Sequence, residues 1–486
     1  MLGLDRFRFL NEEHRLASAA DWNNSSWPRL WLYNLHYFDD LNALEAEARA
    51  AWHEALIARW IAENPPPAGP GWEPYCLSLR IVNWCRFAWR GGRLDAAAVQ
   101  SLAVQVRALA DQLEIHLLGN HLWTNAKALV FAGLFFDGAE AEGWLRLGLR
   151  YLRRELGEQV LADGGHFERT PMYHNIIAAD VLELLEAIRL VPDRVPAKVE
   201  AALRRRAVVM LRWTAAMAHP DGEPSFFNDS AFGVAPHLRA LTGYAEALGL
   251  SAPEVGGDSL IELPHSGYVR ARLGPAVLLA DVGEVGPDYL PGHAHADTLS
   301  CELALDGHRL LVNTGVSTYE TNAERLAQRG TAAHNTVVVD GQDSSEVWSS
   351  FRVARRARIV ERSVEQQSGV VKIRAVHDGY LRLPGRVTHR RRWRLEPTRL
   401  LIEDILAGQP QRAVAFWHFH PGADVRWAGE GAFEGQVGGR HFRMKVRGGD
   451  ATLEDGRWAP EFGRTIPNRH LRIEIGEARL TTEISW

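Results

Sequence analysis

Asn120, His121, Tyr173, His293, His295, Asn313 and His334 are the residues of this chain whose types and spacing suit proton chemistry. From Tyr289 to Gly341 the sequence reads YLPGHAHADTLSCELALDGHRLLVNTGVSTYETNAERLAQRGTAAHNTVVVDG. Alternate side chains of an extended strand share a face, which would set His293, His295 and Asp297 on one surface and Ala294 and Ala296 on the other. Asp306-Gly307 supplies the positive φ angles of a tight turn between two apolar strands, and the return strand delivers Asn313. Another alternating strand follows His334. Any one of these histidines also reads as a surface residue on a solvated sheet. As a cluster on paired strands, His293, His295, Asn313 and His334 read as a site.

Two upstream segments carry polar residues that a core-building helix does not need. In GNHLWTN, Asn120 and His121 sit about 100° apart at a helix start and offer an amide beside an imidazole. An Asn cap followed by an exposed His has the same spelling. In DGGHFERTPMYH, a glycine turn and Pro171 can fix a loop that presents Tyr173 at the start of the next helix. A buried, packed tyrosine fits there equally.

These types together suit proton abstraction next to a carboxylate. Removing the C5 proton of a uronic acid creates a dianionic enolate unless the carboxylate charge is offset, and an amide and an imidazole can donate to it. Tyr173 as phenolate, or a histidine, can take the proton while a second group protonates the departing glycosidic oxygen. A phenol with a reference pKa of about 10 needs positive charge nearby to act as a base at neutral pH, which histidines can supply.

The elements that must position these residues fall into two kinds. Residues 1–42 are aromatic-rich, through WLYNLHYFDDL, and suit packing or sugar stacking. Residues 43–252 read as seven or eight amphipathic helices joined by short turns, a bundle, solenoid or toroid. From 253 to 486 the period changes to two in about a dozen short strands, the pattern of an antiparallel sandwich. The change falls at SAPEVGGDS, residues 251–259. A net charge of −5 over 486 residues gives no reason to expect nucleic acid. Arginines crowd only locally, at 352–358 and 390–394, and the second run reads as strand residues facing water. Cys76, Cys85 and Cys301 form no metal-type pair and no disulfide framework. No apolar run is long enough to span a membrane, and the first 30 residues carry no export signal.

Seven segments in order, WLYNLHYFDDL, WEPYCLSLRIVNW, GNHLWTNAKALVFAGLFF, DGGHFERTPMYH, GHAHADTLSCELALDG, LLVNTGVSTY and AAHNTVVVDG, resemble the heparinase II/III-like polysaccharide lyases and related alginate lyases. The resemblance implies an N-terminal α/α toroid, often incomplete, then a C-terminal antiparallel β-sandwich, with the substrate cleft between them. It implies β-elimination on an acidic polysaccharide, with Asn120 and His121 neutralising the carboxylate, Tyr173 as base or acid and His293 as the other acid/base group. Many relatives hold a zinc ion behind the site, and the matching ligands here are His295, Asn313 and His334. Those relatives usually carry Asp at 313, and an amide oxygen is a neutral, weaker ligand. The family meets its polymer mostly outside the cytoplasm, which implies a periplasmic protein, or a cytoplasmic one if this N-terminus is native.

Two other functions fit parts of the sequence. A toroid glycoside hydrolase would need two carboxylates across a bond, and Asp163, Glu168, Asp180 and Asp229 are available without a pairing. A glycan-binding or exopolysaccharide-assembly protein would keep the fold without the chemistry.

Overall fold

The computed structural model describes residues 1–251, 255 and 257–486, so the linker expected at 251–259 lies partly outside the described residues. The chain forms two compact units, Met1–Gln159 with Asp180–Arg204, and Val160–Ala179 with Arg205–Trp486. Its architecture is an incomplete α/α toroid followed by an antiparallel β-sandwich.

Nine α-helices precede residue 250 among the described residues: α1 Arg29–Tyr37, α2 Ala50–Glu63, α3 Pro74–Trp89, α4 Ala96–Asp111, α5 Gly119–Phe135, α6 Ala139–Gln159, α7 Pro171–Leu190, α8 Ala197–Met217 and α9 Leu238–Ala247. The helix α1 lies inside the segment read only as aromatic-rich; it starts after Pro28 and buries Trp31, Leu32 and Leu35 on one side. Two expected helices are shorter than their apolar periodicity. Two 3₁₀ turns, Asp39–Asn42 and Ala46–Arg49, precede α2, and Glu45 between them takes a left-handed φ of 56°. The stretch 112–118 leaves the helical path, with Leu118 at φ 60° and the Glu114 N–H donating to the Asn125 side chain (2.8 Å). Helices α5 and α6 pack closely where a Cβ on Gly148 would stand 2.8 Å from the Val130 nitrogen.

In the second unit, five strands form an antiparallel meander, Leu260–Leu263, Tyr268–Leu273, Ala276–Asp281, Cys301–Leu305 and His308–Leu311. Asp306 (φ 46°) and Gly307 (φ 87°) make the expected turn between the last two. An eight-stranded sheet runs from Ile359–Gln367 to Ala423–Trp427, and a four-stranded sheet contains Val337–Val339, Ala413–His418, Arg464–Ile475 and Gly449–Glu461. Leu303, Val339, Ile373, Trp393, Trp417 and Leu471 come from all three sheets into one apolar core. Each such side chain contributes about 2 kcal/mol on burial. Alternation along Thr388–Glu396 sends Arg390, Arg392 and Arg394 outward to Glu361, Glu403 and Glu396, while Arg391 turns inward onto Asp404.

A short helix, α10 Ala323–Arg329, interrupts the strands; its start is capped by Asn322, whose Oδ1 accepts the Arg325 N–H (2.8 Å). All three cysteines are buried and unpaired, and burial raises each thiol, Cys301 to about 11.

Candidate active site

The expected strand through His293, His295 and Asp297 is absent: this stretch is an irregular loop that follows Pro291-Gly292 and ends in a turn where the Ser300 N–H meets the Asp297 carbonyl. The three side chains nevertheless converge, because all three bond to the segment Asn228-Asp229. His293 Nδ1–H donates to Asp229 Oδ2 (2.9 Å) and His295 Nε2–H to Asp229 Oδ1 (2.8 Å). Asp297 Oδ2 accepts the Asn228 N–H (3.0 Å), and Asn228 Oδ1 accepts the His295 N–H (2.9 Å). Backbone pairing closes the arrangement, with the Asp229 N–H donating to the His293 carbonyl (3.1 Å).

Asp229 is wholly buried and is gripped from both oxygens by the Arg325 guanidinium. Burial alone would raise its pKa, but Arg325 and the two imidazole donors outweigh that and hold its carboxyl well below the usual carboxylate range. A carboxylate can only accept, so the bond at His293 Nδ1 places the lone pair of the neutral ring on Nε2. Nε2 stands 3.7 Å from the buried Glu168 carboxylate.

Tyr173 opens α7, where Thr170 Oγ1 accepts its N–H (3.1 Å). The loop before it depends on Gly164, whose φ of +92° is costly for other residues and whose Cβ would collide with the Val209 carbonyl. The Tyr173 ring lies on His293 at a centroid distance of 3.9 Å, and its hydroxyl is 3.3 Å from that of Tyr319. Arg325 sits over the Tyr319 ring at 4.8 Å. Tyr173, Tyr319, His293, Asp229 and Arg325 thus form one connected group within the second unit.

His295 and His334 meet behind it, Nδ1 to Nε2 at 3.2 Å. Burial pushes His295 down to about 4 and His334 well below its ordinary value. The separation is close to the roughly 3.3 Å between two nitrogens on a tetrahedral zinc with bonds of about 2.05 Å. The third expected donor, Asn313, has its Oδ1 accepting the Asn335 N–H (3.2 Å), and among the described residues no set of three His, Cys, Asp or Glu side chains gathers at metal-binding distance. Two buried histidines and a neutral amide are a weak donor set for zinc.

Asn120 and His121 belong to the other unit. They occupy the first turn of α5, with Leu118 rather than Asn120 at the cap position. Asn120 is buried, and His121 is about one-third exposed (37%). His121 Nδ1 bonds the buried Glu114 carboxylate (2.9 Å), which also takes the Asn125 Nδ2–H (3.0 Å), and the ring packs on Tyr75 at 4.6 Å.

Sequence reasoning missed Glu114, Tyr319 and Arg325, and took Asp229 only as a possible hydrolytic carboxylate. The Asn322 cap ahead of AERLAQR was the one local signal for the helix that carries Arg325. Nothing in the spacing of Glu114 or Asp229 announces the histidines they hold.

Two profiles match the chain, heparinase II/III N-terminus over residues 47–249 and heparinase II/III-like, C-terminal over 256–486. The chain belongs to the heparinase II/III-like family. The enzyme class that goes with this family is polysaccharide lyase. Among curated relatives, FtsZ-localized protein C of Caulobacter vibrioides is 27% identical over 446 residues, covering 86% of this chain and 74% of the relative. A heparin-sulfate lyase of Bacteroides thetaiotaomicron is 26% identical over 339 residues, 60% of this chain and 48% of the relative. Heparinase III superposes with a TM-score of 0.78 at 18% identity, covering 96% of this chain and 79% of that one. Heparan sulfate lyase from Pedobacter heparinus gives 0.64 at 16% identity over 99% and 81%. At these identities the structural likeness concerns the fold.

Proposed function

We propose that this heparinase II/III-like protein cleaves a uronic-acid-containing acidic polysaccharide by β-elimination. The observation that carries the reading is the Tyr173 ring seated on His293, whose Nδ1 is tied to Asp229. The family resemblance gives Asn120 and His121 the role of donors to the uronate carboxylate, which lowers the cost of the enolate. Tyr173 or His293 removes the C5 proton; the electron pair forms the C4–C5 double bond and the C4–O bond breaks. The departing oxygen takes a proton from the other of the two. No step passes through a metal ion.

Three of the four carboxylates available to the hydrolase alternative are already engaged. Asp163 accepts the His265 and Ser266 N–H groups (2.8 and 2.7 Å), Asp180 pairs with Lys127 and Trp123, and Asp229 is saturated by Arg325 and two histidines. The non-catalytic alternative has one observation behind it, the relative named for FtsZ localisation that matches 86% of the chain.

The test is ultraviolet absorbance during incubation with heparan sulfate, hyaluronan, chondroitin sulfate, alginate and a bacterial uronate-containing exopolysaccharide. Elimination leaves a double bond conjugated to the carboxylate, so absorbance should rise with at least one polymer. Reducing ends released without absorbance would mean hydrolysis; binding without either would favour the non-catalytic reading.

A further inference from the structure

The arginine run 352–358 has no part in the chemistry above. Arg355 pairs with Glu346, and Arg356 and Arg358 with Asp288. Arg352 is different: it is exposed, and no carboxylate pairs with it among the described residues. It lies on a two-stranded hairpin, Val347–Trp348 against Arg352–Val353, directly opposite Trp348 in the register. Directly opposed residues project from the same face of a hairpin with Cβ atoms roughly 5 Å apart. Trp348 is 55% exposed and Phe351, in the turn, 41%.

The hairpin is held from beneath. Arg325 donates to the Ser350 carbonyl through Nε (3.1 Å) and Nη2 (2.9 Å), and Arg329 donates to the Ser349 carbonyl (2.9 Å). Both guanidinium groups are buried, and Arg325 is the cation that grips Asp229. Phe351 presents its ring to His293 at 5.8 Å and 82°, and packs on Tyr319 at 5.2 Å. Phe351 thus joins the hairpin to the Tyr173–His293 pair, and the buried arginines hold the hairpin in place before any ligand arrives, which lowers the entropic cost of binding.

We propose that this hairpin is an anionic-sugar subsite, in which Trp348 stacks on a pyranose ring and Arg352 holds the carboxylate or sulfate of that sugar. The inference rests on the lyase reading for the identity of the polymer. An indole face covers the C–H face of a pyranose, and the neighbouring guanidinium forms a forked pair with a carboxylate or sulfate oxygen pair. Neutral glucans satisfy only the first of these contacts.

The experiment is calorimetric binding to the full chain carrying Tyr173→Phe, which blocks turnover, with size-defined oligosaccharides of hyaluronan (uronate only) and heparan sulfate (uronate and sulfate). Trp348→Ala should weaken both by about fivefold or more, and Arg352→Ala should weaken binding while flattening its salt dependence, with Arg352→Lys recovering part of the loss. Loss on both ligands in Arg352→Ala assigns the carboxylate; loss on heparan sulfate alone assigns the sulfate. Affinities within about twofold of the parent for both alanine variants and both ligands would overturn the proposal, as would a parent that binds neither ligand. Because both side chains are exposed, melting temperatures should not move; Trp348→Phe serves as a second variant if they do. A wild-type chain that gives no ultraviolet product while Trp348→Ala still loses binding would sink the lyase reading and leave the subsite standing.

Discussion

Tyr173 and His293 stack with ring centroids 3.9 Å apart and planes 30° from parallel. The bond from His293 Nδ1 to Asp229 Oδ2 orients the imidazole beside the phenol. Two proton carriers are thereby kept as a pair on elements more than a hundred residues apart in sequence.

Tyr173→Phe keeps the stack and removes only the hydroxyl. Turnover measured by product absorbance should fall by about 10²–10⁴, with oligosaccharide affinity unchanged. Activity retained near the parent level would move proton transfer to another group.

Asp229→Asn leaves the Arg325 guanidinium buried without a charged partner. Loss of one member of a buried pair costs about 3–5 kcal/mol, so the urea midpoint should drop clearly. An unchanged midpoint would mean that Arg325 finds another anion.

Burial pushes His36 and His418 down to about 3, with Arg80 adding to the effect at His36 and His470 at His418. The unfolded chain takes up protons at these histidines near pH 6.5, and the folded chain does not until about pH 3. Stability should therefore be full above about pH 6.5 and fall as the pH drops below it, by about 1.4 kcal/mol per pH unit for each histidine. Denaturation curves at pH 7, 6 and 5 measure the slope. His36→Gln should make it shallower, and a slope unaffected by that change would contradict the assignment.

Metal analysis of the purified protein should give well under one zinc per chain, because the neutral amide of Asn313 is a weak third ligand beside His295 and His334. Asn313→Asp should raise the zinc content. Stoichiometric zinc in the parent, lost in His334→Ala, would show that Asn313 turns to the metal.

Much of this architecture was legible because periodicity is a property of neighbours. The shift from a three-to-four-residue period to a two-residue period separates helices from strands, and Asp306-Gly307 marks its turn by residue type alone. The strand expected at His293–Asp297 failed for the opposite reason. Alternation there is real, but the loop is fixed by Asn228 and Asp229, some 65 residues upstream, and a window of ten residues cannot see them. Glu114 and Arg325 escaped likewise, since each acts through a contact made only after folding. Asn120 looked like a helix cap because caps favour Asn, whereas Leu118 takes that position with a positive φ.

The three buried thiols offer a clock for each unit. Cys76 and Cys85 lie in one and Cys301 in the other, and raised thiol pKa values keep all three from reacting while their surroundings stay closed. Timed alkylation followed by mass spectrometry would report the opening of each unit separately, without a single engineered residue. The same silence lets a cysteine placed on the surface carry a label alone.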